Sequence, residues 1–311
     1  MYHRVAPHAI DPWYLNVTPE RFDEQIAVVK KNTQTISLVE LADALAARKL
    51  PERFCVITFD DGYYNNLQYA KPILAKHGVP ATVFVSTGYT GREREFWWEE
   101  LDDLLLSPET LPNTLELSLQ GKTHQWDLGQ AAMPYRDPTH RSPDPIRDAR
   151  LDFYSKVWQP MQMMPEDQLF EALDTLRNWC GWTGRPRDTH RAMTSDELNK
   201  LVEGDVIDVG GHTVRHPYLP GLPIEEQRQE ILQGKSELEA NIGREVSTFS
   251  YPFNSHTPDT ESIIRESGYA VACSGFERSV WQNDDPVLLP RFAAEEMDGP
   301  AFERSLLHWL D

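Results

Sequence analysis

The segment "VITFDDGY" (56–63) sets two carboxylates, Asp60 and Asp61, at the end of an apolar, β-branched run. α/β folds assemble their sites at such strand ends. Neighbouring side chains of an extended chain point to opposite sides, so two acids can serve one centre only where the strand ends and turns. Gly62 supplies the freedom for that turn. A pair of solvated loop acids is the plainer reading of the same letters. Further along, "VGGHTVRHP" (209–217) places His212 and His216 four residues apart behind another strand-like run. In a helical turn that spacing puts both imidazoles on one face, and imidazole nitrogen with carboxylate oxygen is a common donor set for borderline metals. Loop histidines that bind nothing look the same in isolation. Taken with the acid pair, Asp61, His212 and His216 make a candidate His₂-carboxylate centre with positions left for water, the pattern of a catalytic rather than a structural zinc-type site.

Elements that could position these residues alternate along the chain. "FCVITFDDG" (54–62), "PATVFVSTG" (80–88), "DVIDVGGH" (205–212), "STFSYPF" (247–253) and "YAVACSG" (269–275) read as short buried strands. Residues 18–32, 37–49, 69–78, 194–204, 224–241 and 259–268 have the periodicity of amphipathic helices. Strands alternating with helices imply βαβ units and a parallel sheet, open or closed into a barrel. The stretch from about 92 to 191 breaks the rhythm: helix-like "FWWEELDDLLL" (96–106), Pro-rich "PYRDPTHRSPDPIRDAR" (134–150), then a helical piece at 166–182. It reads as an insertion, mainly helical, that caps or borders the cleft of one catalytic domain spanning 1–311.

Composition narrows the partners. A net charge of −19 repels a phosphate backbone, which argues against nucleic acid. Three cysteines, Cys55, Cys180 and Cys273, with no CxxC pair argue against a disulfide framework or a cysteine zinc knuckle. No apolar run is long enough for a transmembrane segment, and no basic segment followed by an apolar stretch opens the chain. The expected location is cytoplasmic, an expectation that an upstream start would change. Nothing in the sequence implies an oligomeric state.

"TFDDGY" followed by "GHTVRHP" resembles the polysaccharide deacetylase family, carbohydrate esterases that remove acetyl groups from sugars. The resemblance covers roughly residues 1–91 and 192–292. It implies a distorted, incomplete (β/α) TIM-like barrel in which Asp60 is the general base and Asp61, His212 and His216 hold one divalent metal, zinc in first place, with cobalt, nickel, iron or manganese as alternatives. The physics agrees with those roles, because a metal polarises a carbonyl and its water while an unligated carboxylate accepts the proton. Where the family carries an Arg-containing turn ending Pro-Tyr-Gly, this chain has "SYPFN" (250–254), with Ser250 in the place of Arg. By resemblance the backbone N–H of Phe253 faces the oxyanion. Arg291 in "LLPRF" then becomes the candidate to pair with Asp60 and keep it ionised, although an ordinary surface arginine reads the same way.

An amide nitrogen leaves poorly as an anion, so a general acid is also needed. "SLLHW" (305–309) offers His308, but its spacing is helical and suits packing better. "MYH" at the start resembles the circularly permuted poly-N-acetylglucosamine deacetylase branch, in which the strand bearing the acid comes first; this makes His3 the candidate. Most aromatics of the insertion read as core, with Trp97 and Trp98, together with Tyr251 of the "SYPFN" turn, as candidate substrate contacts. Arg92, Arg94, Arg141, Arg147, Arg185, Arg187 and Arg191 could form an anion-binding patch, but interleaved acids favour a solvated surface.

The expected activity is N-deacetylation of an amino sugar, in a nucleotide-linked or lipid-linked precursor or a polysaccharide. Deformylation or another amide hydrolysis would keep every residue above. A non-catalytic glycan-binding relative would be expected to have lost Asp60 or a ligand, and none is lost. A phosphatase of the haloacid-dehalogenase kind would need a DxD spacing that "FDDG" lacks.

Overall fold

The structure is a computed structural model describing residues 1–7, 10–135 and 148–310. In chain order the elements are β1 (Arg4–Val5), β2 (Asn16–Val17), α1 (Pro19–Asn32), β3 (Gln34–Thr35), α2 (Leu38–Ala46), β4 (Phe54–Cys55), β5 (Ile57–Phe59), a π-helical turn (Asn66–Ala70), α3 (Lys71–His77) and β6 (Ala81–Val85). Then come α4 (Trp97–Leu105), β7 (Thr114–Leu119), β8 (Lys122–Asp127), α5 (Ala149–Met161), α6 (Glu166–Cys180) and α7 (Ser195–Val202). The last are β9 (Ile207–Gly211), α8 (Ile224–Ile242), β10 (Thr248–Ser250), α9 (Pro258–Glu266), β11 (Val271–Cys273) and α10 (Gly299–Leu310).

Two compact units form. The first comprises the N-terminal residues, Leu15–Arg92 and Ala192 to the C-terminus; the second comprises Glu93–Arg191 and a short segment ending at Tyr14. In the first, five strands make one parallel sheet in the order β11-β10-β9-β6-β5. Its edges continue as single bridges, Tyr2 beside Phe59 and Leu289 beside Cys273, both parallel. The Tyr2 N–H donates to the Thr58 carbonyl at 2.8 Å, the Asp60 N–H donates to Tyr2 at 3.0 Å, and the Ala294 N–H donates to Met1 at 2.9 Å. Residues 1–2 therefore lie between β5 and the 292–294 segment. The result is the curled, incomplete parallel barrel that the alternation of strands and helices leads one to expect.

Local chemistry sets the element ends. Ser37 with Glu40 and Thr194 with Glu197 form capping boxes at the starts of α2 and α7, and Thr257 with Thr260 does the same for α9. Phe22, Ile26 and Val29 of α1, Leu74 of α3, Ile231 and Leu238 of α8 and Ile263 of α9 bury their apolar stripes in one core with Phe59, Val83, Val85, Val209 and Phe249 of the strands. Among the described residues no helix is long and apolar enough to cross a membrane.

The second unit has its own interior. Phe96, Trp97, Trp98, Leu101, Leu104 and Leu105 are buried, as are Phe153, Tyr154 and Val157 of α5 and Leu169, Leu173 and Leu176 of α6. An antiparallel hairpin, β7 with β8, accompanies the helices. Its signal is present in the sequence. Thr114–Leu119 alternates exposed and buried, and Gln120 and Gly121, at φ 51° and 72°, form the two-residue turn that joins right-twisted strands.

Candidate active site

Three strand ends build the site. β5 ends at Phe59, and the next residues leave the sheet through Asp61 at φ 75° and Gly62 at φ 84°. β9 ends at Gly211, followed by His212 and then by Thr213 and His216 at φ 65° and 55°. β10 ends at Ser250, followed by Phe253 and Asn254 at φ 54° and 52°. Of nine non-glycine residues at positive φ among the described residues, five are these. Left-handed backbone is costly for a side chain with a Cβ, most of all for a β-branched threonine, and persists only where surroundings impose it. Those surroundings are visible. The Thr213 and Val214 carbonyls accept from Thr87 and Gly88 at 3.2 and 2.8 Å. Glu230 of α8 accepts from the Val214 and Arg215 N–H groups at 3.0 and 2.9 Å and from Arg215 Nε at 2.6 Å. In sequence Glu230 reads as one more surface acid of an amphipathic helix, so nothing there announced it.

The strained turns bring Asp61, His212 and His216 together, all buried, with one donor atom from each within 4.8 Å of the others. His212 Nε2 lies 3.4 Å and His216 Nε2 3.3 Å from Asp61 Oδ1. Two donors about 2.0–2.1 Å from one tetrahedral ion stand ~3.3 Å apart, so the spacing suits a shared cation better than direct hydrogen bonds. His212 Nδ1 sits 2.7 Å from the Ser250 carbonyl, which can only accept. The proton therefore resides on Nδ1 and the lone pair of Nε2 is turned to the centre, the outer support that metal-ligating histidines ordinarily receive. Donor chemistry and geometry both fit a divalent metal. Such a metal would supply Lewis acidity toward a carbonyl oxygen and toward water.

Asp60 stays outside this triad and is held by Arg291. Nη1 and Nη2 donate to Oδ1 and Oδ2 at 2.7 and 2.8 Å, a two-pronged pair with both side chains buried. Arg291 also donates to Ser250 Oγ at 2.8 Å, to Thr58 Oγ1 at 3.3 Å and to Asn254 Oδ1 at 3.3 Å. Burial alone would raise the Asp60 carboxyl, but the charge of Arg291, then that of His212, outweighs it and holds the group far below the usual range. Asp60 is thus ionised at neutral pH. Ser250, noticeable in sequence only as a replaced arginine, joins both halves of the site: its carbonyl orients His212 while its hydroxyl donates to Asp60 Oδ2 at 3.3 Å.

His3 faces the same group of charges. Burial lowers its pKa, with Asp61 and then Asp60 acting against that. Its backbone is pinned by two asparagines of the π-helical region: Asn66 Nδ2 donates to the His3 carbonyl at 2.8 Å, and the Val5 N–H donates to Asn65 Oδ1 at 3.0 Å. Both asparagines are buried. Irregular helical turns of this kind frequently mark functional sites, and "YYNN" carried no such signal in sequence. Phe253 stands at the strained turn with its ring edge-on to His216, centroids 4.6 Å apart.

The candidate aromatic contacts are buried. Trp97 and Trp98, only 3% and 5% exposed, pack with Phe96 and Trp158 inside the second unit. The expectation that they meet substrate gives way to the core role usual for tryptophans of an amphipathic helix. Tyr251 is fully buried, its hydroxyl donating to the Val287 carbonyl at 3.0 Å, so it supports the turn from below rather than facing solvent. His308 is on a helix, α10, but exposed; Phe302 and Leu306 do the packing. Arg94 and Arg187 do not form a solvated patch either: they pair at 2.6 Å with Glu100 and Glu95, both buried. Arg141 and Arg147 lie outside the described residues. A separate apolar cavity of about 240 Å³, lined by Val29, Leu38, Phe54 and Trp309 among others, touches Arg291 and Thr58 but none of the triad.

Burial gives the metal-free site a pH signature. It lowers the His216 pKa to about 3 against the attraction of Asp61. The unfolded imidazole, near 6.5, takes up a proton that the folded one refuses. Stability is therefore complete above that value and is lost as pH falls, by about 1.4 kcal/mol per pH unit for each such group. Asp60 and Asp61, both lowered, add losses of the same sign in the more acidic range. In urea titrations of chelator-treated protein the midpoint should drop between pH 6.5 and 5, and His216→Asn should flatten that slope. A midpoint insensitive to pH in this window would contradict the assignment.

Comparison with known proteins agrees with this geometry. Residues 47–115 and 181–272, just over half of the chain, match the polysaccharide deacetylase family. YxkH of Bacillus subtilis (strain 168), which carries a provisional polysaccharide deacetylase name, is 32% identical over 136 residues, 42% of this chain and 47% of the relative. A poly-β-1,6-N-acetyl-D-glucosamine N-deacetylase of Staphylococcus aureus (strain MSSA476) is 31% identical over 115 residues, 36% of this chain and 38% of the relative. The aligned part thus spans less than half the length of either curated relative. In fold the chain is similar to the Streptococcus pyogenes deacetylase PplD, solved in complex with acetate, with a TM-score of 0.62 at 17% identity over 100% of this chain and 96% of the other. The matched ranges take in the strand ends that carry Asp60, Asp61, His212 and His216, and the chain belongs to the polysaccharide deacetylase family.

Proposed function

We propose that this chain is a metal-dependent hydrolase that removes the N-acetyl group of an amino sugar during surface-polysaccharide synthesis, with zinc as the resident ion. The observation that carries the reading is the buried Asp61–His212–His216 triad set beside a separately ionised Asp60. Amide hydrolysis needs both: a cation site for the acyl oxygen, and a base that is not itself a ligand. In this reading Asp60 takes a proton from water as the oxygen adds to the acyl carbon, and Arg291 keeps its carboxylate oriented. The backbone N–H of Phe253 donates to the developing oxyanion. The C–N bond then breaks, His3 gives its proton to the departing nitrogen, and acetate and a free amine result. His3 would have to carry that proton when the C–N bond breaks; burial, the larger effect, lowers its pKa, and the carboxylates of Asp61 and Asp60 oppose that lowering without cancelling it. The permuted, strand-first arrangement belongs to the same proposal, supported by the position of residues 1–2 between β5 and the 292–294 segment.

The test joins metal analysis with acetate and formate assays on nucleotide-linked, lipid-linked and polymeric N-acylated glucosamine. One divalent ion per chain and acetate release support the proposal. A folded protein that binds no divalent ion, or releases only formate, overturns it.

A further inference from the structure

Backbone groups of alternate residues in an extended segment turn to opposite sides. Along residues 2–6 one side is served by main chain. The Tyr2 N–H donates to the Thr58 carbonyl, the Asp60 N–H donates to the Tyr2 carbonyl, and the Arg4 and Ala6 N–H groups donate to the Leu15 and Val17 carbonyls. The other side is served by two consecutive side chains instead. Asn66 Nδ2 donates to the His3 carbonyl at 2.8 Å, and Asn65 Oδ1 accepts from the Val5 N–H at 3.0 Å. Asn66 Nδ2 also donates to Asn65 Oδ1 at 3.2 Å, which ties the two amides together. Both asparagines are 0% exposed. Successive residues of a regular α-helix point about 100° apart, yet these two serve one short segment, where the helix opens as the π-helical turn Asn66–Ala70.

Stability alone is a poor reason for Asn66. Its Oδ1 is buried with no hydrogen-bond partner among the described residues, and an unsatisfied buried carbonyl weakens a fold. Reversing the amide brings no relief, because Oδ1 would then face the His3 carbonyl, which only accepts. One polar atom of Asn66 is thus left unsatisfied while the other holds the His3 carbonyl. Asp60, Asp61 and Asn66 lie within seven consecutive residues, so one segment carries the base, a metal ligand and this hold on His3.

We infer that Asn66 is a positioning residue for proton delivery: it fixes the backbone of His3 so that the imidazole meets the departing nitrogen. The inference rests on the deacetylase reading above, in which His3 is the acid. Displacing a catalytic group by about 1 Å can cost 10²-fold in rate, and this hold matters only where a leaving group needs a proton. An amide nitrogen needs one, whereas 4-nitrophenolate leaves as a stable anion. That difference separates a role in proton delivery from a general role in the fold, which both substrates would register.

The test measures kcat and KM for acetate release from a tetramer of N-acetylglucosamine and from 4-nitrophenyl acetate, by metal-loaded wild type, His3→Ala, Asn66→Ala and Asn66→Leu. Leucine keeps the branched outline of asparagine without the donor, and carries the test should the alanine variant fold poorly. Both Asn66 variants should lower kcat on the amide roughly 10–100-fold with KM little changed, and leave aryl acetate turnover and metal content near wild type. His3→Ala should show the same selectivity with a loss of roughly 10²–10⁴-fold. Equal losses on both substrates in the Asn66 variants, or unimpaired amide turnover, overturn the positioning role, and a selective loss in His3→Ala then leaves the acid standing. A His3→Ala loss that is absent, or equal on both substrates, removes His3 as the acid and the role of Asn66 with it. Absence of acetate release from the tetramer by wild type counts against the deacetylase reading itself.

Discussion

Asp60→Asn should lower kcat by roughly 10²–10⁴-fold, the range that a positioned general base contributes, and should also destabilise the fold. Activity falls because an amide cannot take the proton. Stability falls because Arg291, 8% exposed and aimed at Asp60 with two donors, keeps its charge and loses its counter-charge. Breaking one side of a buried pair costs about 3–5 kcal/mol, whereas replacing both partners by apolar groups is often neutral. Adding Arg291→Met to Asp60→Asn should therefore recover much of the melting temperature and none of the turnover. Metal content should remain near one ion per chain throughout, since neither residue belongs to the triad. Appreciable kcat in metal-loaded Asp60→Asn would remove Asp60 from the chemistry.

His212→Ala should abolish metal retention and, with it, activity. One of three protein donors disappears, and the Ser250 carbonyl loses the imidazole that it orients. Losing only an outer support of a metal ligand typically costs 10–100-fold in affinity, so loss of the ligand itself should exceed about 100-fold. Titration calorimetry with zinc on chelator-treated protein reads this directly. Wild type stripped by a chelator should regain turnover when the ion is added back, and His212→Ala should not at the same ion concentration. A variant that still carries one ion per chain after dialysis would show that these three residues are not the metal's holders.

Much of this site was legible in "TFDDGY" and "GHTVRHP", because each motif carries its donors within a few residues of one strand end. The five sheet strands and the helices around them were legible for a related reason: apolar periodicity and capping residues are local signals, and here packing agrees with them. The hairpin at Thr114–Asp127 was written just as locally, as alternation around Gln-Gly, and was obscured by the tryptophans and charges on either side. The aromatics misled, since a ring on a helix stripe reads alike whether it faces a core or a sugar. Trp97, Trp98 and Tyr251 all went inward.

By itself, then, the sequence determined the chemical types at the site, the alternation that makes a parallel barrel, and the likeness to polysaccharide deacetylases. Tertiary structure decided how distant residues meet. Arg291 reaches Asp60 across 231 positions, His212 finds its carbonyl acceptor 38 positions on at Ser250, and Asn66 pins the backbone of His3 63 positions earlier. The left-handed turns at Asp61, Thr213, His216 and Phe253 belong to the same level. None of these residues prefers that conformation, and only packing and hydrogen bonds from neighbouring strands and from Glu230 can hold them there. Local propensity is a property of a few consecutive residues, whereas strain and long-range pairing exist only once the sheet has curled and brought its strand ends together.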